Sequence, residues 1–198
     1  MAPTQKVGAQ IVGLMRITGG VFKGQPLKAP KGMSVRPTSS KVRESLFSIL
    51  GDVSDLKVLD VCAGAGTLGL EALSRGASTA VFVEKSGLSR SALNHNINSL
   101  GLKDRTDVVA KGAPRALGGL RRDQPAFHLI FLDPPYGTDI AMRVLHAVAK
   151  GGLLAPGGVV VVEHDRDDVL PTAFENGRLR FDEVRSYGRT RLSYYLAA

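Results

Sequence analysis

One cysteine, Cys62, stands among 198 residues. An intrachain disulfide is therefore impossible, and a reducing cytoplasm fits. No apolar run approaches the ~20 residues that span a bilayer. The N-terminus lacks the basic start and long apolar core of a secretory signal. The four histidines are scattered. No Cys, His and carboxylate cluster has metal-ligand spacing, and no Ser-His-Asp set has a recognisable context. No internal repeat is evident. The most telling absence is acidic: residues 1–43 contain no Asp or Glu. They carry eight basic residues, Lys6, Arg16, Lys23, Lys28, Lys31, Arg36, Lys41 and Arg43. The remaining 155 residues hold 18 basic and 18 acidic groups, so the whole excess of +8 sits in the N-terminal fifth. A charge run is often only a solvated face, but such asymmetry is also the footprint of a polyanion partner.

Apolar content of 43% and charged content of 22% suit one globular domain with a sizeable core. Gly19-Gly20 and Lys23-Gly24 mark a hairpin inside the basic segment. Pro37 and Thr38 then open a helix with Val42, Leu46, Ile49 and Leu50 inward, closing at Gly51. Strands are expected near 57–62, 79–84, 106–111, 127–132 and 158–163, and helices near 67–75, 86–100, 112–119 and 138–149. Residues 178–185 and 190–196 read as a closing hairpin. This alternation implies a mostly parallel sheet with helices on both faces. Ligands should gather at the carboxyl ends of its strands.

Asp133-Pro134-Pro135-Tyr136 follows the apolar run 127–132. Two prolines fix their own φ and lack N–H groups, so the turn is stiff. Pro135 holds Pro134 extended, which aims the Pro134 carbonyl by covalent geometry. Asp133 and that carbonyl can each accept a hydrogen bond from one amino group. Tyr136 can stack on the ring that carries it. The set suits the exocyclic amine of a nucleobase, although Asp-Pro-Pro alone is also an ordinary turn after a core strand.

Upstream, the run 57–62 leads into Ala63-Gly64-Ala65-Gly66-Thr67-Leu68-Gly69. This is a strand, a glycine loop and a helix start. The glycines admit a ligand close to the backbone, and free N–H groups at the helix start favour an anionic group. The spacing of Gly64, Gly66 and Gly69 also fits a dinucleotide fingerprint. Asp60 argues against that: four residues before Gly64, it would crowd a pyrophosphate yet could face an ammonium. S-adenosylmethionine carries an ammonium, a carboxylate and a sulfonium. Asp60 as a loop-capping acid is the alternative. Glu84 ends the next apolar run, 24 residues on, near the spacing of an acid that binds ribose hydroxyls; it can equally cap the following helix. Cys62 reads as a small buried thiol rather than a nucleophile.

Arg36-Pro37-Thr38, Val42-Arg43-Glu44-Ser45-Leu46-Phe47-Ser48-Ile49-Leu50, Gly69-Leu70-Glu71-Ala72-Leu73-Ser74-Arg75-Gly76-Ala77 and Asp133-Pro134-Pro135-Tyr136 occur in this order. In that order the chain resembles the RsmD family of class I S-adenosylmethionine-dependent methyltransferases, nearly throughout from Met15 onward. The resemblance implies an α/β, Rossmann-like fold with a seven-stranded, mostly parallel sheet whose last strand is antiparallel, plus a small N-terminal hairpin and basic arm. It implies methyl transfer from S-adenosylmethionine, with no metal, to the exocyclic N2 of one guanine in 16S rRNA, within an assembled or partly assembled small ribosomal subunit.

Site residues follow from the motifs and that resemblance together. Asp133, Pro134, Pro135 and Tyr136 are the catalytic set. Asp60, Ala63, Gly64, Gly66 and Glu84 would bind the cofactor. Many relatives carry an acid after the third strand; here the stretch is Val109-Ala110-Lys111-Gly112-Ala113, so the adenine is expected at backbone groups of Gly112 and Ala113. Arg16, Lys23, Lys28, Arg36, Thr38, Lys41 and Arg43 would contact RNA. The expected organisation is a disordered extension over 1–14, or a true start at Met15, then the arm over 15–37 and the methyltransferase domain over 38–198, in a cytoplasmic monomer. Rival readings are an N6-adenine enzyme on DNA or RNA, an enzyme of glutamine amides, and a non-catalytic nucleotide- or RNA-binding module. No target-recognition domain is visible for a sequence-specific DNA enzyme. A dehydrogenase would leave Asp60 and the Asp133 turn without a role.

Overall fold

A computed structural model describes residues 15–30, 39–123, 126–174 and 177–198. Among the described residues, five α-helices alternate with the first five of seven strands: α1 (Ser40–Leu50), β1 (Lys57–Val61), α2 (Thr67–Ser74), β2 (Thr79–Val83), α3 (Gly87–Ser99), β3 (Thr106–Val109), α4 (Ala113–Asp123), β4 (Phe127–Leu132), α5 (Ile140–Ala149), β5 (Leu154–Asp165), β6 (Leu179–Tyr187) and β7 (Thr190–Ala197). The sheet order is β3-β2-β1-β4-β5-β7-β6. The first five strands are parallel, and β7 runs antiparallel to both β5 and β6. The chain steps outward from β1 to β3, then returns to lay β4 on the other side of β1. That reversal opens a crevice beyond the carboxyl ends of β1 and β4.

Two cores flank the sheet because neighbouring strand residues point to opposite faces. Val58, Phe82, Leu129, Phe131 and Val161 meet α1, α2, α3 and the arm on one side. Leu59, Val81, Ile130, Leu132 and Val160 meet α4 and α5 on the other. By the same period, Asp60, between Leu59 and Val61, points to the first face.

Element boundaries agree with the expected ones to within a few residues, with two differences. Helix α1 buries Val42, Arg43, Leu46 and Phe47, while Ile49 is 40% exposed. Its packing stripe is turned toward Phe47, whose ring meets Phe131 edge to face at 5.7 Å. The second difference is β5, which starts at Leu154, ahead of Pro156 and Gly157. A bulge against β4 between Phe127 and Leu129 absorbs that stretch. Among the described residues, no helix is long and apolar enough to cross a membrane.

Among the described residues, the expected N-terminal hairpin is a tight turn with one bridge, Arg16 to Pro26. Its stability comes from docking on α2. Buried Glu71 accepts from the Thr18 N–H at 2.8 Å, the Thr18 hydroxyl at 2.7 Å and Arg75 Nε at 3.0 Å. Ser74 Oγ donates to the Gly19 carbonyl and accepts from the Phe22 N–H. Gly20 is obligatory there: its φ is +77°, and a Cβ would lie 1.8 Å from the Ser74 carbonyl oxygen. Glu71 and Ser74 of α2, with Arg75 at its end, thus hold the arm.

Candidate active site

Strand β1 ends in a loop that only small residues can make. Cys62 at φ +62°, Gly64 at +57° and Gly66 at +83° lie in the left-handed region. Gly66 is the N-cap of α2 and has no side chain to bond the helix start, where Asp60 takes the Gly69 N–H alone. Uncapped N–H groups there are open to an anionic ligand. A Cβ on Gly64 would meet nothing within 4 Å, so the loop's outer side is clear. A Cβ on Gly66 would strike Leu93 of α3 at 2.4 Å, so the inner side is packed.

Three carboxylates converge on this loop. Asp60 is 1% exposed, and its Oδ2 accepts the Gly69 N–H at 2.9 Å. Burial pushes its pKa up to about 7; the Gly69 bond opposes this and Glu84 adds to it. Glu84 Oε2 accepts from the Gly64 N–H at 2.9 Å, and Oε1 accepts from the Ser86 N–H at 2.7 Å. It therefore orders both the loop and the entry to α3. Carboxylate oxygens hold further lone pairs for a ligand hydroxyl. Asp133 follows β4, whose Leu132 pairs with Val61, and its N–H donates to the Val61 carbonyl at 3.2 Å. The Cys62 thiol is pushed up to about 12, by burial first and then by Glu84, Asp133 and Asp60. A thiol held so high is a poor nucleophile; Cys62 packs against the core as expected but is half-buried rather than buried.

The turn after β4 presents Asp133 half-buried, Pro134 buried, and Pro135 and Tyr136 exposed. Tyr136 is 39% exposed; its hydroxyl lies 3.4 Å from Glu163 Oε1 and 3.5 Å from Thr190 Oγ1. Gly112 and Ala113 open α4 after β3, at the same edge of the sheet. Thus Asp60, Ala63, Gly64, Gly66, Glu84, Gly112, Ala113 and the Asp133–Tyr136 turn share the carboxyl edge. Glu163 and Thr190 were missed by the sequence reading. A signal existed for Glu163, because it ends the apolar run of β5 as Glu84 and Asp133 follow theirs. Thr190 had none, since only the antiparallel return of β7 brings it there.

The expected RNA-contact residues divide. Arg16, Lys23, Lys28 and Lys41 are exposed. Arg36 and Thr38 lie outside the described residues. Arg43 is a correction: it is 1% exposed, and its Nη2 donates to the Arg16 carbonyl at 2.6 Å. Its side chain ties α1 to the arm and does not face solvent, because α1 turns that face onto the sheet. Burial holds its pKa below the usual arginine value. Lys23 also sits apart from the crevice. Its turn docks at Ser74, the far end of α2, about 12 Å along the helix from the glycine loop. Lys28 and Lys41 are nearer. Lys28 is bonded to Asn96, which bonds the loop. Lys41 lies in the first turn of α1, whose Ser45 meets the hydroxyl of Tyr187 at the tip of the β6–β7 hairpin. Among the described residues, no group of three His, Cys, Asp or Glu could hold a metal ion.

A family model described as conserved hypothetical protein 95 matches residues 15–196. The Bacillus subtilis protein named "Putative rRNA methyltransferase YlbH" is 37% identical over 182 residues, covering 91% of this chain and 98% of that protein. The Escherichia coli protein named ribosomal RNA small subunit methyltransferase D is 32% identical over 181 residues, covering 91% and 89%. The solved structure of a Thermus thermophilus hypothetical protein superposes with a TM-score of 0.76 at 33% identity, covering 91% of this chain and 98% of that one. The glycine loop, the Asp133 turn and the arm-anchoring helix all lie inside a match that spans nearly the whole chain, and the chain belongs to the RsmD family of methyltransferases.

Proposed function

We propose that this chain methylates the exocyclic N2 of one guanine in the 16S rRNA of the small ribosomal subunit, using S-adenosylmethionine. The observation that carries the reading is the meeting of the glycine loop and the Asp133-Pro134-Pro135-Tyr136 turn on adjacent strands at the point where strand order reverses. The names of the relatives support ribosomal RNA as substrate.

The residues fit the cofactor. The open α2 N-terminus suits its carboxylate, the buried Asp60 carboxylate suits its ammonium, and Glu84 suits ribose hydroxyls. Once bound, S-adenosylmethionine supplies an electrophilic methyl on a sulfonium. The chain's task is to aim a weak nucleophile, because the guanine N2 lone pair is delocalised into the ring. The base must leave its stack to enter the crevice. Asp133 and the Pro134 carbonyl accept the two amino hydrogens, which favours a pyramidal nitrogen with its lone pair toward the methyl. Tyr136 holds the base plane. S-adenosylmethionine would give up its methyl to N2 and keep the sulfur electron pair as S-adenosylhomocysteine, and the surplus N2 proton would pass to the Asp133 carboxylate or to water. Positioning supplies much of the acceleration.

The reading is tested by transfer of labelled methyl to small-subunit RNA, naked and in particles, from cells lacking this protein. N2-methylguanosine at one site is the expected product. N6-methyladenosine, or no labelling of either form, would overturn it.

Two predictions follow from the site's charges. Cofactor binding tightens as pH rises through about 7, because Asp60 must ionise to face an ammonium. The free protein shows the opposite trend from the same group. Its folded pKa lies above the unfolded value, so the folded state holds more protons between about 4 and 7 and loses stability as pH rises across that window. Titration calorimetry with S-adenosylhomocysteine in two buffers near neutral pH should register proton release, and Asp60→Asn should abolish it. A pH-independent affinity would place Asp60 outside the ammonium site. The second concerns RNA: replacing Lys28 and Lys41 with glutamine weakens binding and flattens its log–log salt dependence by roughly 1.5 units. An unchanged slope removes both from the interface.

A further inference from the structure

We infer that Asn96 is a positioning residue that couples cofactor binding to RNA engagement. The inference rests on the RNA reading above. Asn96 lies on α3, is 0% exposed, and spends its amide on two distant segments. Its Oδ1 accepts the Lys28 N–H at 2.8 Å. Its Nδ2 donates to the Lys28 carbonyl at 3.1 Å and to the Ala65 carbonyl at 3.0 Å. Lys28 is the last described basic residue of the arm, and its side chain is exposed. Ala65 sits between Gly64 and Gly66 in the cofactor loop. One buried side chain thus bridges the backbone beneath a phosphate-seeking lysine and the backbone of the loop that receives the cofactor.

The same face of α3 makes a second contact with that loop. Leu93, three residues earlier and so on the same side of the helix, packs where a Gly66 Cβ would stand. The loop is therefore seated on Leu93 and Asn96 together. Left-handed residues give it few stable alternatives, and its N–H groups serve a ligand only in one arrangement. RNA phosphate drawn to Lys28 orders the arm backbone, and through Asn96 it orders Ala65. A cofactor that orders the loop orders the Lys28 backbone in turn. Ordering done by the first ligand need not be done by the second, which is positive coupling without a large conformational change. Such coupling is reciprocal.

The test compares S-adenosylhomocysteine affinity of the full chain with and without small-subunit particles from cells lacking this protein. Sedimentation reports particle binding separately. The wild type should bind S-adenosylhomocysteine about fivefold or more tightly in the presence of particles. In Asn96→Ser that ratio should fall toward one, with folding checked by circular dichroism. Asn96→Asp, which keeps the side chain's shape and its bond from the Lys28 N–H, serves if the serine variant does not fold. A residue that only braced the fold would lower thermal stability and leave the ratio intact. A ratio of one in the wild type while particles are bound overturns the coupling and leaves the proposed reaction standing. A full ratio in folded Asn96 variants removes Asn96 from the coupling. Wild type that fails to sediment with particles overturns the small-subunit reading, and the inference with it.

Discussion

Asp133→Ala should lower methyl transfer by roughly 10²–10⁴-fold, the range for a side chain acting directly on the reacting group, while S-adenosylhomocysteine binds with nearly unchanged affinity. The two effects separate because Asp133 belongs to the turn after β4, whereas Asp60, Glu84 and the glycine loop hang from β1 and β2. The Asp133 N–H donates to the Val61 carbonyl, and alanine keeps that bond. Asp133→Asn keeps one acceptor oxygen and should lose less. Single-turnover rates beside equilibrium binding would separate chemistry from affinity. Equal losses in both would make Asp133 a structural residue and sink the proposed role.

Glu71→Ala should destabilise the protein by about 3 kcal/mol, lowering the melting temperature by roughly 6–12 °C for a chain of this size. Glu71 is fully buried and accepts three hydrogen bonds, two from Thr18 and one from Arg75. Alanine leaves the Thr18 N–H without its acceptor and removes the partner of a guanidinium that also lies over Phe47, 4.8 Å from the ring centre. Glu71→Gln keeps an acceptor but not the charge, and should fall between. Because the same bonds hold the arm on α2, RNA binding should weaken along with stability. A melting temperature within about 1 °C of wild type would mean the arm is held by Ser74 and Asn96 without help from Glu71.

The RNA footprint read from charge needed the most revision. Eight basic residues without an acid were countable, but a charge count says nothing of where a long side chain ends. Arg43 is buried because α1 presents its 42–43–46–47 stripe to the sheet, and its partner carbonyl is 27 residues away. Lys23 is exposed, yet its turn is docked at the far end of α2 by residues about 50 positions distant. Glu163 meets Tyr136 because β5 lies parallel beside β4, and Thr190 does so only because β7 returns antiparallel beside β5.

The sequence by itself determined what short stretches of backbone dictate. Left-handed glycines in the loop, two prolines after Asp133, and apolar runs of strand length specified the loop, the turn and the alternating fold, because steric limits on φ and ψ act within a few residues. Tertiary structure alone decided which polar side chains face the crevice and which are held inside the fold. Asn96 reaches Lys28 across 68 residues and Glu71 reaches Thr18 across 53. A buried polar group is tolerated only where a partner meets it, and that partner is set by how the helices pack on the sheet, which the order of residues along the chain does not display.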